Sequence, residues 1–225
     1  MRVIVTCGPS SEPIDEVRSL TNFSTGELGA LICTELHRRG FEVICLRSVT
    51  ATSLLDSAIA TVIPFATNAD LTMALEKLSK KGKVLALFHA AALCDYRVTE
   101  VATADGKILT HGKIPTSCGP LTMTLQPTEK VIAHLRSWFP STLLVGWKYE
   151  IDGSIEDAHA KAHQQITKYQ LDASIVNGKV LGSKFDFIPA VGVVEHLDSK
   201  VLLALFLGRW LVSIRPVGRT LVPSS

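Results

Sequence analysis

The sequence lacks the features that announce several large classes of protein. Its five cysteines, Cys7, Cys33, Cys45, Cys94 and Cys118, are odd in number, widely spaced and free of any Cys-x-x-Cys pair. Neither a disulfide framework nor a zinc site is indicated, and a reducing cytoplasm is the expected compartment. Charge of one sign is also scarce: 23 Lys and Arg against 21 Asp and Glu leave +2. That is too little for the broad positive field used in binding nucleic acid or an anionic membrane, so neither partner is expected and any anion must be held locally. The most apolar stretch, Val201 to Ile214, is interrupted by Arg209 and falls short of the roughly 20 residues that span a bilayer. Arg2 to Thr6 is already strand-like, with no basic, apolar and small-residue leader before it, so export is not expected. The chain contains neither the Gly-x-Gly-x-x-Gly of a dinucleotide fold nor a Walker-type Gly-Lys-Ser/Thr, and no repeat or low-complexity tract.

What is present is a folding chain. Its 225 residues, 47% hydrophobic and 20% charged, suffice for one sizeable core and exclude disorder. The period of the apolar residues predicts a buried strand at Val3 to Thr6, a helix over Gly26 to Arg39, strands at Phe41 to Leu46 and Thr61 to Phe65, a helix over Asn68 to Lys81, and a long strand from Val84 to Ala92. The pattern continues with a strand at Leu121 to Leu125, a helix at Glu129 to Trp138, a strand at Thr142 to Trp147, a helix at Ile155 to Tyr169 and a strand at Ala173 to Val176. A possible strand at Val191 to Glu195 and an apolar helix near Lys200 to Val212 close the series. Continuous apolar strands alternating with helices point to a doubly wound, mostly parallel α/β sheet, Rossmann-like and able to hold all of these strands. A single domain is expected over 1–214, with a frayed tail at 215–225. Residues 97–120, with Gly106, Gly112, Pro115, Gly119 and Pro120 among polar side chains, read as a long functional loop rather than an idle connector.

In open parallel sheets ligands sit beyond the carboxyl ends of the strands, which directs attention to loops 7–25, 89–120, 126–128, 147–154 and 177–190. In the first, Ser24-Thr25-Gly26 stands directly before a helix, where backbone N–H groups and the helix dipole favour a phosphate. Gly26 and Gly29 remove side chains that would block a close approach. The plainer reading of Ser24 or Thr25 is a helix cap.

The complete string Cys7-Gly-Pro-Ser-Ser-Glu-Pro-Ile-Asp-Glu-Val-Arg18, followed by Thr21-Asn-Phe-Ser-Thr-Gly-Glu-Leu-Gly29, resembles the signature of the phosphopantothenoylcysteine synthetase family, the ligase domain of the coenzyme A pathway. His89-Ala-Ala-Ala-Leu-Cys-Asp-Tyr-Arg97 resembles the family's second motif, Gly112-Lys-Ile-Pro-Thr-Ser117 its lysine-bearing loop, and Leu171-Asp-Ala-Ser-Ile-Val-Asn177 its last core strand. The resemblance covers roughly residues 1–210. It implies a stand-alone ligase, without the flavin-dependent decarboxylase domain often fused ahead of it in bacteria. The implied reaction joins 4′-phosphopantothenate to L-cysteine through an acyl-nucleotidylate, with Mg²⁺ and a nucleoside triphosphate, CTP more readily than ATP, on a homodimer.

By the same resemblance Lys113 is the catalytic lysine, with Lys107 a rival in the same loop, and Asn22 handles the acyl-nucleotidylate. Gly8, Ser24, Gly26, Gly29, His89, Ala90, Ala91, Asp95, Trp147 and Asn177 fall at nucleotide-binding positions. No metal-ligating side chain is implied. Each has a plainer alternative: a turn for Asn22 and Asn177, a salt bridge to Arg97 for Asp95, the core for Trp147, and a satisfied strand-end histidine for His89. The sequence departs from the family at Glu27, where Lys or Arg is usual, at Gly146-Trp-Lys-Tyr-Glu150, and at Gln164 and Gln165 on the helix that normally offers lysines to the triphosphate. These departures sustain a second reading, a non-catalytic relative that binds nucleotide or phosphopantothenate. A flavin- or NAD-dependent oxidoreductase ranks lower because its glycine fingerprint is missing.

Overall fold

In the computed structural model, which describes residues 1–109 and 112–214, an eight-stranded sheet forms the centre of the molecule. Its strands are β1 (Arg2–Cys7), β4 (Glu42–Ser48), β5 (Thr61–Phe65), β6 (Ala86–His89), β9 (Leu143–Tyr149), β10 (Ala173–Asn177), β11 (Phe185–Pro189) and β12 (Glu195–Leu197). They lie in the order β12-β11-β10-β9-β6-β1-β4-β5. The six from β10 to β5 pair in parallel, and β11 and β12 add an antiparallel edge.

The period-2 geometry of a strand explains why successive residues Val3, Ile4 and Val5 of β1 are all apolar. Val3, Val5 and Cys7 enter the core beneath α1 (Glu27–Arg38) and α5 (Lys200–Ser213), while Ile4 enters the opposite core beneath α2 (Asn68–Ser79) and α4 (Ile155–Tyr169). Both faces of the sheet are thereby covered. Val3, Ile4 and Val5 are fully buried, and each such side chain contributes about 1.5–3 kcal/mol of apolar burial. Helices α2 and α4 begin with matching capping boxes, Thr67 with Asp70 and Ser154 with Asp157.

Four expectations are corrected. Leu121 to Leu125 does not join the central sheet. It is part of β8 (Leu121–Pro127), which pairs antiparallel with β7 (Tyr96–Thr103) in a separate ribbon, so the segment from residue 97 opens as a strand rather than a loop. Leu121, Met123 and Leu125 alternate with threonines, the pattern of a one-sided ribbon and not of a buried parallel strand. The helix expected at Glu129 to Trp138 is a 3₁₀ turn at Val131–Ala133 followed by a single turn, α3 (Leu135–Trp138), and the extended Lys130 keeps Glu129 out of both. Val191 and Val193 are 93% and 81% exposed and lie outside the strands, which fall instead at β11 and β12. The polar stretch after β1 contains a small hairpin, β2 (Ser11–Pro13) with β3 (Ser19–Thr21). The tail expected at 215–225 lies outside the described residues.

Candidate active site

The carboxyl ends of β1 and β6 are laced together. Ser10 N–H donates to the Ala92 carbonyl at 3.0 Å, Ala92 N–H to the Gly8 carbonyl at 3.0 Å, and Cys94 N–H to Ser10 Oγ at 2.7 Å. The first loop is therefore fixed to the segment after β6, as a parallel bridge between Pro9 and Ala92 also records. Asn22 extends this seam: its Nδ2 donates to the Leu93 carbonyl at 2.9 Å, leaving the exposed side chain's Oδ1 as an acceptor at the rim.

Gly8, Gly26 and Gly29 gather where α1 meets β1. A Cβ on Gly29 would lie 2.1 Å from Cys7 Cβ, so this glycine lets the helix rest on the strand; its close approach is helix to strand. Gly26 is the N-cap of α1 and receives no side-chain cap. Ser24 Oγ accepts the Gly26 N–H at 3.4 Å and Thr25 Oγ1 the Glu27 N–H at 3.3 Å, both long for such bonds.

Two recesses open at this edge of the sheet. The larger, about 660 Å³, is bordered by Glu27 and Leu31 of α1, Tyr149, Asn177, and Ser199 and Lys200 at the start of α5. Here Glu27 is ion-paired with Lys200. The smaller, about 110 Å³, brings together His89, Ala91, Asp95, Trp147, Asn68 and Gln165. Ala90 stands between His89 and Ala91, and neither Asn22 nor Lys113 lines either recess.

His89 is buried, and desolvation lowers its pKa from 6.5 to about 4. Thr6 Oγ1 accepts the Ala91 N–H at 3.1 Å and lies 3.1 Å from His89 Nδ1. The hydroxyl has its proton to donate to Nδ1 and a second lone pair to accept from it, so this contact satisfies either tautomer of the neutral ring. Asp95 pairs with Lys130 rather than with Arg97, whose Nη2 donates to Gln126 Oε1 at 2.9 Å. Trp147 packs against the core under α1 and α5, and its buried indole N–H has no partner among the described residues.

The departures from the family pattern also have their geometry. Lys148 Nζ lies 3.2 Å from Glu150, and Lys161 is bonded to the same carboxylate. Burial raises the Glu150 pKa, but the hydrogen bonds from Lys161 and Lys148 outweigh it and the net shift is downward. Both ammonium groups are thus committed to one buried anion. Gln165 holds two strands together, donating to the Trp147 carbonyl at 3.2 Å and accepting from Ser174 Oγ at 2.7 Å. Gly178, which sequence reasoning passed over, sits at φ 123° with no room for a Cβ, 2.1 Å from the Glu150 carbonyl oxygen. The turn after Asn177 depends on it, and the Asn177 carbonyl accepts the Glu150 N–H at 2.8 Å.

Lys107 and Lys113 are held differently. Lys107 lies near the turn of the ribbon, its N–H and carbonyl both bonded to Thr103. Lys113 is exposed and precedes Ile114, which is buried and bonded through its backbone to Asp15 and Arg18 of the first loop. The loop that carries Asn22 thus also holds the segment that carries Lys113. Its Asp15 and Arg18 stand in the motif that carries the resemblance but were given no role there, and no spacing signal links them to Ile114.

Residues 1–187 match the family model described as the DNA/pantothenate metabolism flavoprotein C-terminal domain. The chain is 34% identical over 192 residues, 85% of its length, to the coenzyme A biosynthesis bifunctional protein CoaBC of Thermococcus kodakarensis, and spans 45% of that relative. Among solved structures, the DNA/pantothenate metabolism flavoprotein from Streptococcus pneumoniae superposes with a TM-score of 0.85 at 24% identity, covering 95% of this chain and 99% of that one. A Cab2 mutant in complex with phosphopantothenate-cysteine gives a TM-score of 0.71 at 20% identity over 94% of this chain and 85% of that one. Among the described residues no helix is long and apolar enough to cross a membrane. By the match over most of its length, the chain belongs to the DNA/pantothenate metabolism flavoprotein C-terminal domain family, the phosphopantothenoylcysteine synthetase part of the CoaBC proteins.

Proposed function

We propose that this chain is a phosphopantothenate–cysteine ligase. The carboxylate of 4′-phosphopantothenate attacks the α-phosphate of a nucleoside triphosphate, releasing pyrophosphate and forming an acyl-nucleotidylate. The amine of L-cysteine then attacks the acyl carbon, an amide forms and the nucleoside monophosphate leaves. The observation that carries this reading is that one loop, fixed to the ends of β1 and β6, both presents Asn22 and holds the chain beside Lys113. Such chemistry needs oriented donors and a cation at the phosphate more than a nucleophilic side chain. Lys113 balances the charge that develops at phosphorus in the first step, and Asn22 orients the acyl-nucleotidylate for the second.

The larger cleft, with Asn177 and the start of α1 on its border, takes the nucleotide, CTP in preference to ATP. Gly8, Ser24 and Gly26 bring backbone close to the phosphates and Gly29 seats α1 on β1 behind them, while His89, Ala90, Ala91, Asp95 and Trp147 complete the pocket toward β6 and β9. Among the described residues no cluster of three His, Cys, Asp or Glu is placed to hold a metal ion. Mg²⁺ enters as the nucleotide complex, where it neutralises phosphate charge. The working unit is a cytoplasmic homodimer, supported by the exposure of Tyr96, Ile108, Met123 and Leu125 on and beside the β7–β8 ribbon. Light scattering at micromolar concentration tests that point, and a monomer contradicts it.

The experiment for the reaction is pyrophosphate release with each nucleotide, with and without 4′-phosphopantothenate. Release is expected only with substrate, nucleotide and Mg²⁺ together, and cysteine is not required for this step. The commitment of Lys148 and Lys161 to Glu150 favours a second reading, a nucleotide-binding relative without turnover. Tight nucleotide binding with no pyrophosphate from any nucleotide would support it.

A further inference from the structure

Both peptide groups of Ile114 are gripped by a closed network from the first loop. Asp15 Oδ1 accepts the N–H groups of Val17 at 2.9 Å and Arg18 at 2.7 Å, which builds a tight turn around the carboxylate. Its other oxygen, Oδ2, accepts Arg18 Nε at 3.0 Å, a second bond from Arg18 Nη2, and the Ile114 N–H at 3.1 Å. Arg18 Nη2 then donates to the Ile114 carbonyl at 2.7 Å. The Asp15 side chain is 3% exposed and the Arg18 side chain 44%. The Arg18 side-chain bonds and the backbone N–H donors outweigh burial and hold the Asp15 carboxyl well below the usual carboxylate range. An ionised, buried acceptor bonded to three donors at one oxygen is a rigid anchor.

We infer that Asp15, with Arg18 as its second arm, is a positioning residue for Lys113. The Ile114 N–H belongs to the same peptide plane as the Lys113 carbonyl, so Asp15 fixes the plane from which the lysine side chain departs. On the far side Pro115, at φ −75°, stiffens the exit, and a residue before proline is already restricted to extended backbone. Lys113 itself stays exposed, a mobile ammonium on a fixed base. Among the described residues Lys107 has no such tie to the first loop, and its backbone bonds return to Thr103 within the ribbon.

This inference rests on the reading of Lys113 as the residue of the nucleotidylation step, so its test carries one readout that does not depend on activity. Trypsin cuts the Lys113–Ile114 bond, whose N–H is the one held by Asp15, and cleavage requires the segment to leave its anchor. In Asp15→Asn, if the amide oxygen keeps the turn, the NH₂ group faces three donors and the grip fails. Timed proteolysis with mass spectrometry should show cleavage after Lys113 accelerated at least tenfold, with cleavage after Lys107 within twofold of the parent. Pyrophosphate release should lose at least tenfold in kcat with the nucleotide KM within twofold, because the lost contact belongs to the transition state. Arg18→Gln, which removes only the second arm and its charge, should shift both readouts in the same direction, and it replaces Asp15→Asn if circular dichroism finds that variant unfolded. Unchanged cleavage after Lys113 in the folded variants overturns the anchor. Accelerated cleavage with unchanged kcat, while Lys113→Gln is inactive, overturns the positioning role. An active Lys113→Gln overturns the catalytic reading of Lys113, and with it the positioning role, even if the anchor itself is found.

Discussion

Glu27 in the first turn of α1 and Lys200 in the first turn of α5 form an ion pair on the border of the larger cleft, 173 residues apart in the chain. The acid that replaces the family's usual Lys or Arg is therefore countered locally by a lysine from another helix, and Asn177 shares the same border. Because both side chains are about half exposed, the pair adds little to stability, and its weight falls on the charge presented to a ligand. Glu27→Lys should lower the nucleotide KM by a factor of about three to ten, and Lys200→Glu should raise it by a similar factor, both effects shrinking as salt rises. Initial-rate measurements over a range of nucleotide concentrations check this. An unchanged KM in both variants would remove the triphosphate from this cleft.

Lys113 and Asn22 should fail at different steps. Lys113→Gln removes a cation from the pentavalent phosphorus and should abolish pyrophosphate release. Asn22→Asp should permit some activation but stall transfer to cysteine, so the mixed anhydride accumulates and is trapped by mass spectrometry. An oriented donor lost at a transition state costs about 3 kcal/mol, roughly a hundredfold in rate. Near-parental ligation by either folded variant contradicts its assigned role. Activity in Lys113→Gln together with inactivity in Lys107→Gln would move the role to Lys107.

The buried His89 predicts a pH dependence of stability. Its folded pKa is about 4 against an ordinary 6.5, so between these values the unfolded chain takes up a proton that the folded chain refuses. Stability from this group is complete above pH 6.5 and falls as the pH drops toward 4, by up to about 3 kcal/mol. Urea denaturation of the parent and of His89→Gln across pH 4 to 7 measures it. The variant's stability should vary less with pH over that window, and equal slopes would show that His89 is not the titrating group.

Gly178→Ala should be severely destabilising. The new methyl would lie 2.1 Å from the Glu150 carbonyl oxygen at a φ of 123° that side chains rarely adopt, so the backbone of Glu150 or Asn177 must move. A cost above about 3 kcal/mol lowers Tm by roughly 6–12 °C in a chain of this size. A calorimetric Tm within 2 °C of the parent would contradict the geometry.

The readable parts of the fold were those governed by local period. Strands β1, β6, β9 and β10 are short apolar runs with helices between them, which suffices to announce a parallel sheet covered on both faces. Strand β11 escaped notice because Asp186, its second residue, interrupts the apolar run. That charge is tolerated in the interior only because His159 and His196, from α4 and β12, each approach it at 2.6 Å. The β7–β8 ribbon was misread because its apolar residues alternate and its turn glycines and prolines suggest a loop. At the site, the glycines around α1 and the asparagines were visible as motif. The partners of Glu27, Lys161 and Ile114 were not, since each contact is a tertiary pairing of charge or backbone that leaves no spacing in the sequence.

The most direct test of the account is the complete reaction followed by mass spectrometry with isotope-labelled L-cysteine, 4′-phosphopantothenate, Mg²⁺ and, in separate reactions, CTP and ATP. The account predicts a labelled amide product with pyrophosphate and nucleoside monophosphate in equal amounts, faster with CTP. No labelled amide from either nucleotide, with the folded protein still binding nucleotide, would contradict it.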